Sequence, residues 1–151
     1  MRYWLMKSEP YKISIDDLML MPEQSTAWFG IRNYQSRNFM RNQMGLGDQV
    51  FFYHSCCQQP GIVGIVEVTK LAYPDTTQFD SKSRYFDPKA TSEKPRWFNV
   101  EITFIKKTRL ITIKELRQYP ELNRMRVLQQ GNRLSITPVD PAEWQFIKDI
   151  L

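Results

Sequence analysis

The sequence has little of the chemistry that most enzymes need. Its 151 residues hold one histidine, His54, and two cysteines, Cys56 and Cys57. A single imidazole excludes any two-histidine metal site and limits a Ser-His-Asp arrangement to that one side chain. A bridge between neighbouring cysteines would be strained, so both are expected as thiols in a reducing compartment. His54-Ser55-Cys56-Cys57 is spaced too tightly for the usual zinc loops, and no metal or other cofactor is expected. Glycine is scarce, with six in all, and Gly45-Leu46-Gly47-Asp48 lacks the Lys-Ser/Thr or third glycine of a phosphate loop. No apolar run approaches the roughly eighteen residues of a membrane span. The opening Met1-Arg2-Tyr3-Trp4-Leu5-Met6-Lys7 meets charge before a secretory segment could form. These absences predict no membrane partner and a cytoplasmic location.

The remaining composition is that of an ordinary globular chain, 42% hydrophobic and 25% charged, which argues against disorder and fibrous repeats. The length suits one domain over residues 1–151. The net charge of +5 is regional: residues 81–133 carry 13 Lys and Arg against 5 Asp and Glu, while the rest carries 8 against 11. A basic segment of this kind attracts polyanions through counterion release, so nucleic acid is the first partner to consider. A solvated charged face is the plainer reading of the same numbers.

Local patterns predict an α+β chain. A strand is expected over residues 2–7, and Ser14-Ile15-Asp16-Asp17 has capping-box spacing for a short helix ending near Met21. A second helix is expected from Asn33 to Met44, before Gly45 and Gly47. Gln49–His54 and Gly61–Tyr73 read as a buried hairpin, followed by a long polar loop from Pro74 to Pro95. Arg96–Lys107 alternates as a strand with Phe98, Val100, Ile102 and Phe104 inward. Thr112 opens another capping box, Pro120 begins a helix running to Gly131, Arg133–Val139 returns as a strand, and Asp140-Pro141 caps a terminal helix carrying Trp144, Ile147 and Leu151. This order predicts a mostly antiparallel, curved sheet or small barrel with helices around it and a pocket at its mouth.

Two polar clusters stand out. Lys7-Ser8-Glu9-Pro10 follows the first strand, with Lys7 and Glu9 on the same side. Trp28-Phe29-Gly30-Ile31-Arg32-Asn33-Tyr34-Gln35-Ser36-Arg37-Asn38 is a glycine turn leading into a helix, where an N-terminus and arginines suit an anion. Arg37 and Arg41 share one face of that helix. Trp4, Trp97 and Trp144 lie in regular patterns and are expected in the core. By base rates alone, Lys7 and Glu9 would be a strand-end ion pair and His54 a structural side chain.

These clusters, together with Tyr3-Trp4-Leu5-Met6, Phe52-Tyr53-His54-Ser55, Gly61-Ile62-Val63-Gly64, Ala72-Tyr73-Pro74-Asp75, Gln78-Phe79-Asp80 and Phe86-Asp87-Pro88-Lys89, resemble the EVE domain family along nearly the whole chain. The resemblance implies a PUA-like barrel, related to YTH and ASCH domains, that binds modified bases in DNA or RNA. The chain departs from the family pattern at Cys56 and Cys57, where the family often has an Asn, and at Ile31 and Ser36, which replace a commoner valine and alanine.

With that resemblance, the residues read as a pocket for an extruded base. Trp28, with Tyr85 as a lid or as loop packing, would stack on its faces, each stacked base being worth about 1–3 kcal/mol. Extrusion costs a few kcal/mol, so edge contacts must add to stacking. Lys7, Ser8, Glu9 and Asn33 supply donors and acceptors for the edge, with Ile31 and His54 completing the pocket and Arg32, Arg37 and Arg84 holding phosphates. A methyl group alone contributes about 0.8 kcal/mol, roughly a fourfold preference; a polar modification met by a hydrogen bond would be discriminated more sharply. The alternatives are a hydrolase of modified nucleosides, as some ASCH relatives are, using Lys7 and Glu9, and a protein-interaction module using the basic segment. No complete catalytic constellation is present, so the expected protein is not an enzyme.

Overall fold

Period-two alternation builds the sheet and decides what each face covers. In the first strand, β1 (Tyr3–Ser8), Trp4 and Met6 enter one apolar cluster and Leu5 enters another on the opposite face. The third strand does the same with Val50 and Phe52 against Phe51 and Tyr53. Both faces of the sheet are therefore covered, as strands with near-continuous apolar runs require. The computed structural model describes residues 1–151.

After β1, Ser14 caps α1 (Ile15–Leu20): its hydroxyl accepts from Asp17 N–H at 3.0 Å and the Asp17 carboxylate accepts from Ser14 N–H at 2.9 Å. A 3₁₀ turn at Pro22–Gln24 leads to β2 (Ser25–Ala27), a strand too short and too polar to show in the sequence pattern. The helix expected over residues 33–44 is shorter in α form. It consists of α2 (Tyr34–Asn38) and then one π turn, Phe39–Gln43, in which Met44 N–H reaches back to Phe39 at 3.0 Å.

Next come β3 (Gln49–His54), β4 (Gly61–Pro74) and β5 (Phe98–Thr112), then α3 (Ile113–Leu116). Val100 and Ile102 of β5 are fully buried, as expected, whereas Phe98 and Phe104 are only partly covered. The helix expected from Pro120 to Gly131 does not form: two 3₁₀ turns, Pro120–Leu122 and Arg126–Leu128, stand in its place. Side-chain amides take the carbonyls a helix would use. Gln129 donates to Asn123 O and Met125 O at 3.0 and 3.1 Å, and Asn132 donates to Arg126 O at 2.7 Å. The final strand, β6 (Ile136–Val139), is followed by α4 (Pro141–Asp149), which presents Trp144 and Ile147 to the second cluster.

The sheet order is β2-β5-β4-β3-β1-β6. All neighbours are antiparallel except β1 and β3, whose parallel pairing is made by the long excursion through α1, β2 and α2. The long pair β4 and β5 shifts register at four places along its length. Each bulge bends the strand and increases its twist. The sheet therefore curls, and its two edge strands β2 and β6 both deliver chain to one end of the molecule.

Candidate functional site

At that end β1 finishes with Lys7 and Ser8, and the chain turns at Glu9, whose carbonyl accepts from Lys12 N–H and Ile13 N–H at 2.9 and 3.1 Å. The segment leaving β2 passes over it: Trp28 N–H extends the β2–β5 ladder by donating to Val100 O at 2.8 Å. The segment entering β6 closes the other side, where Lys7 N–H donates to Ser135 O at 2.8 Å. Between them lies a cavity of about 660 Å³, within the range of about 300–1,000 Å³ usual for small-ligand sites.

Eight of the residues singled out in the sequence line this cavity: Lys7, Ser8, Glu9, Trp28, Ile31, Arg32, Arg84 and Tyr85. Three do not. Asn33 spends its side-chain oxygen capping α2, accepting from Ser36 N–H at 3.0 Å. His54 Nε2 accepts from Ile15 N–H at 3.1 Å and so fixes the start of α1 against β3. Arg37 donates to Asn38 and to Arg96 O and lies over the Tyr34 ring at 4.7 Å, away from the cavity. The cavity also takes Lys12, Arg133, Ser135 and Cys56, which no local pattern marked as lining residues. Both cysteines are free, and only Cys56 reaches the lining.

Trp28 is 7% exposed and stands edge-on to Phe52, with ring centres 5.6 Å apart. It is a wall of the cavity anchored in the core, not a free platform. Tyr85, also in the lining, lies over Gly30, which adopts φ +82°; a Cβ at that position would come within 2.8 Å of the tyrosine ring. Tyr85 is also edge-on to Phe29 at 5.8 Å, and Arg32 and Arg84 flank its ring at 5.6 and 5.3 Å. The ring packs its loop down and also lines the cavity.

The brace behind this arrangement is Asp75, fully buried. Its carboxylate accepts from Gly30 N–H at 2.7 Å, Arg32 at 3.2 Å, and Thr77 N–H and Oγ1 at 2.9 and 2.5 Å. Arg32 in turn donates twice to Tyr85 O, at 3.1 and 2.7 Å. Arg32, expected on a phosphate, is thus a strut that ties the Tyr85 loop to the Gly30 turn. Burial would raise the Asp75 carboxyl, but these donors outweigh it and hold it below the usual carboxylate range. The sequence signal for this brace was the Asp75-Thr76-Thr77 turn, which is one in which a side chain binds the backbone two residues on.

Lys7 and Glu9 do not pair. Glu9 contacts the Tyr11 hydroxyl and Lys12 Nζ, the latter at 3.5 Å. Lys7 has no carboxylate partner; its ammonium lies 5.8 Å from the centre of the Tyr53 ring. Burial lowers the Lys7 ammonium from its ordinary value, only partly opposed by a charge on Cys56. Burial pushes the Tyr53 hydroxyl up to about 12. Ser8 Oγ donates to Ile13 O at 2.5 Å. The lining carries five cations, Lys7, Lys12, Arg32, Arg84 and Arg133, against Glu9 alone. An apolar wall with a predominantly cationic, hydrogen-bonding rim suits a flat, anionic ligand.

A curved, bulged α+β sheet whose edges close on one pocket is a PUA-like architecture. Residues 2–150 match the EVE domain model, and the chain belongs to the EVE domain family. It is 44% identical to thymocyte nuclear protein 1 of Gallus gallus over 164 aligned residues, which cover 96% of this chain and 66% of the chicken protein. The chain therefore spans about two thirds of that relative. It resembles the structure of human THYN1 protein in complex with 5-methylcytosine-containing DNA, with TM-score 0.94 and 40% identity over 99% of this chain and 97% of that one. A Pseudomonas syringae protein is similarly close, with TM-score 0.92, 44% identity and 98% coverage of both chains. No helix is long and apolar enough to cross a membrane.

Proposed function

We propose that this protein is a non-catalytic nucleic-acid-binding module that holds an extruded, modified base, a modified cytosine or adenine in DNA or RNA, in the cavity between Trp28 and Tyr85. The observation that carries the reading is the cavity itself: aromatic walls, unpaired Lys7, and a cationic rim on one concave surface. The 5-methylcytosine DNA bound by the human relative supports DNA and a modified cytosine. In this reading Trp28 and Tyr85 contact the base faces and Ile31 fills the space beside them. Lys7, Ser8 and Glu9 meet the edge, and Arg84 meets a phosphate.

Lys7 is the edge reader the geometry favours. A half-buried ammonium with no acid partner gains most from an acceptor on the ligand, such as the O2 or N3 of cytosine. The hydrolase reading asks Lys7 and Glu9 to work on one reacting atom, yet Glu9 is held by Tyr11 and Lys12 in its own turn. The binding reading needs no such pairing.

The test is a titration of oligonucleotides carrying 5-methylcytosine, 5-hydroxymethylcytosine or cytosine, read by fluorescence anisotropy, with parent, Trp28→Ala and Tyr85→Ala proteins. Loss of one stacking wall is expected to weaken binding by about 1–3 kcal/mol. Because Trp28 also packs on Phe52, Tyr85→Ala is the variant that leaves the core intact. Unchanged affinity for every probe in both variants would remove the base from this cavity. Turnover of a modified nucleoside that Glu9→Gln abolishes would favour the hydrolase.

A further inference from the structure

A second cavity of about 540 Å³ opens beside the first, and Arg133 lines both. Its walls are the start of α2, with Gln35, and the turn before β6, with Arg126, Gln130 and Asn132. One lining residue is hydrophobic and none is acidic. The backbone of the turn is fixed by its own amides: Asn132 donates to Arg126 O at 2.7 Å and accepts from Leu134 N–H at 2.9 Å. That bond brings the two ends of the turn together, and with them Arg126 and Arg133. Gly131 at its tip has φ +78° and open space where a side chain would stand.

The charged and amide groups left over are free. Arg126, Arg133, Gln35 and Gln130 are all exposed, and their side chains take part in none of the protein's hydrogen bonds or ion pairs. Two arginines in no ion pair, Arg126 feeling only the charge of the nearby Glu143, backed by a rigid turn and flanked by amide donors, form a site for phosphate oxygens. A protein partner would need an apolar or aromatic anchor at the centre of the contact, which this cavity lacks.

We propose that the second cavity seats the phosphodiester next to the base held in the first, with Arg133 bridging the two and Arg126 on the outer phosphate oxygens. Gln35 and Gln130 then face the neighbouring nucleotide. The inference rests on the base-binding reading and extends it from a single base to a strand. It also replaces the phosphate contacts expected of Arg32 and Arg37, both of which are engaged within the protein.

The experiment compares parent, Arg126→Ala and Tyr85→Ala proteins on two probes: a 5-methylcytosine oligonucleotide across a range of salt, and free 5-methyl-2′-deoxycytidine, which has no phosphate. For Arg126→Ala the expected result is weaker oligonucleotide binding, modified or not, and a salt slope shallower by about one phosphate contact, with nucleoside binding as in the parent. An unchanged slope would overturn the proposal, and so would an equal loss with the free nucleoside. Tyr85→Ala reads the base pocket separately, through loss of nucleoside binding at unchanged salt slope. If Tyr85→Ala has no effect while Arg126→Ala flattens the slope, the base reading falls and the phosphate site stands.

Discussion

Asp75 and Gly30 are joined by a 2.7 Å hydrogen bond from the glycine N–H to a fully buried carboxylate that also holds Arg32. One acid thus positions the turn under Tyr85 and the arginine that anchors the Tyr85 loop. Asp75→Ala would leave the Gly30 N–H without an acceptor and a mostly buried guanidinium without its counter-charge. The expected cost is about 3–5 kcal/mol, measured by denaturant unfolding, with Asp75→Asn losing less because one acceptor remains. The sign of the pH effect follows from the depressed carboxyl. The contribution of Asp75 is complete above the unfolded value near about 3.9 and is lost as pH falls through the lower folded value. Acid unfolding of Asp75→Asn should accordingly be less steep below about pH 4 than that of the parent.

Gly30→Ala tests the same corner from the other side. At φ +82° a side chain is strained, and the new methyl would press on the Tyr85 ring at 2.8 Å. Loss of about 1–3 kcal/mol of stability is expected. Weaker binding of the modified oligonucleotide should accompany it, since the ring must move off the cavity wall. Partial recovery of stability, without recovery of binding, on adding Tyr85→Ala would show that the clash with the ring adds to the backbone strain.

His54 predicts a second pH effect, of opposite chemistry. Its Nε2 accepts from Ile15 N–H, so the neutral imidazole is the one that fits, and burial lowers its value despite Asp16 and Asp17 nearby. A folded value below the unfolded one means that the unfolded chain takes the proton first as pH falls below about 6.5. Thermal stability should decline from there down to the lowered folded value and then level. In His54→Gln, whose amide oxygen can still accept, that decline should vanish.

Ser36 offers a stabilising change. Its side chain is fully buried and its hydroxyl has no partner. An unsatisfied buried hydroxyl costs about 1–3 kcal/mol. Ser36→Ala removes it with little change in volume, and the melting temperature should rise by roughly 2–4 °C for each kcal/mol recovered. A fall in melting temperature would mean that the hydroxyl is satisfied by water.

Much of the fold was legible locally. The strand expected over residues 2–7 forms as β1, and the capping box at Ser14 forms as its spacing implied; at Thr112 only the hydroxyl half forms, because Arg109 and Tyr119 hold the Glu115 carboxylate. The Lys7-Ser8-Glu9 and Trp28–Arg32 segments were recognisable, and both line the cavity. Periodicity failed at residues 120–131, where apolar spacing suited a helix but side-chain amides claimed the carbonyls. It also missed β2, a three-residue edge strand with no apolar signal.

What the sequence determined alone was most of the buried positions and the course of the longer strands, because those depend on neighbours two to four positions apart. Tertiary structure decided the partners across the chain: Glu9 with Lys12 and not Lys7, Arg32 with Asp75 and Tyr85 and not a phosphate, and Arg133 between two cavities. Those partners are set by the curl of the sheet, which bulges between β4 and β5 impose and which brings residues from opposite edges to one site.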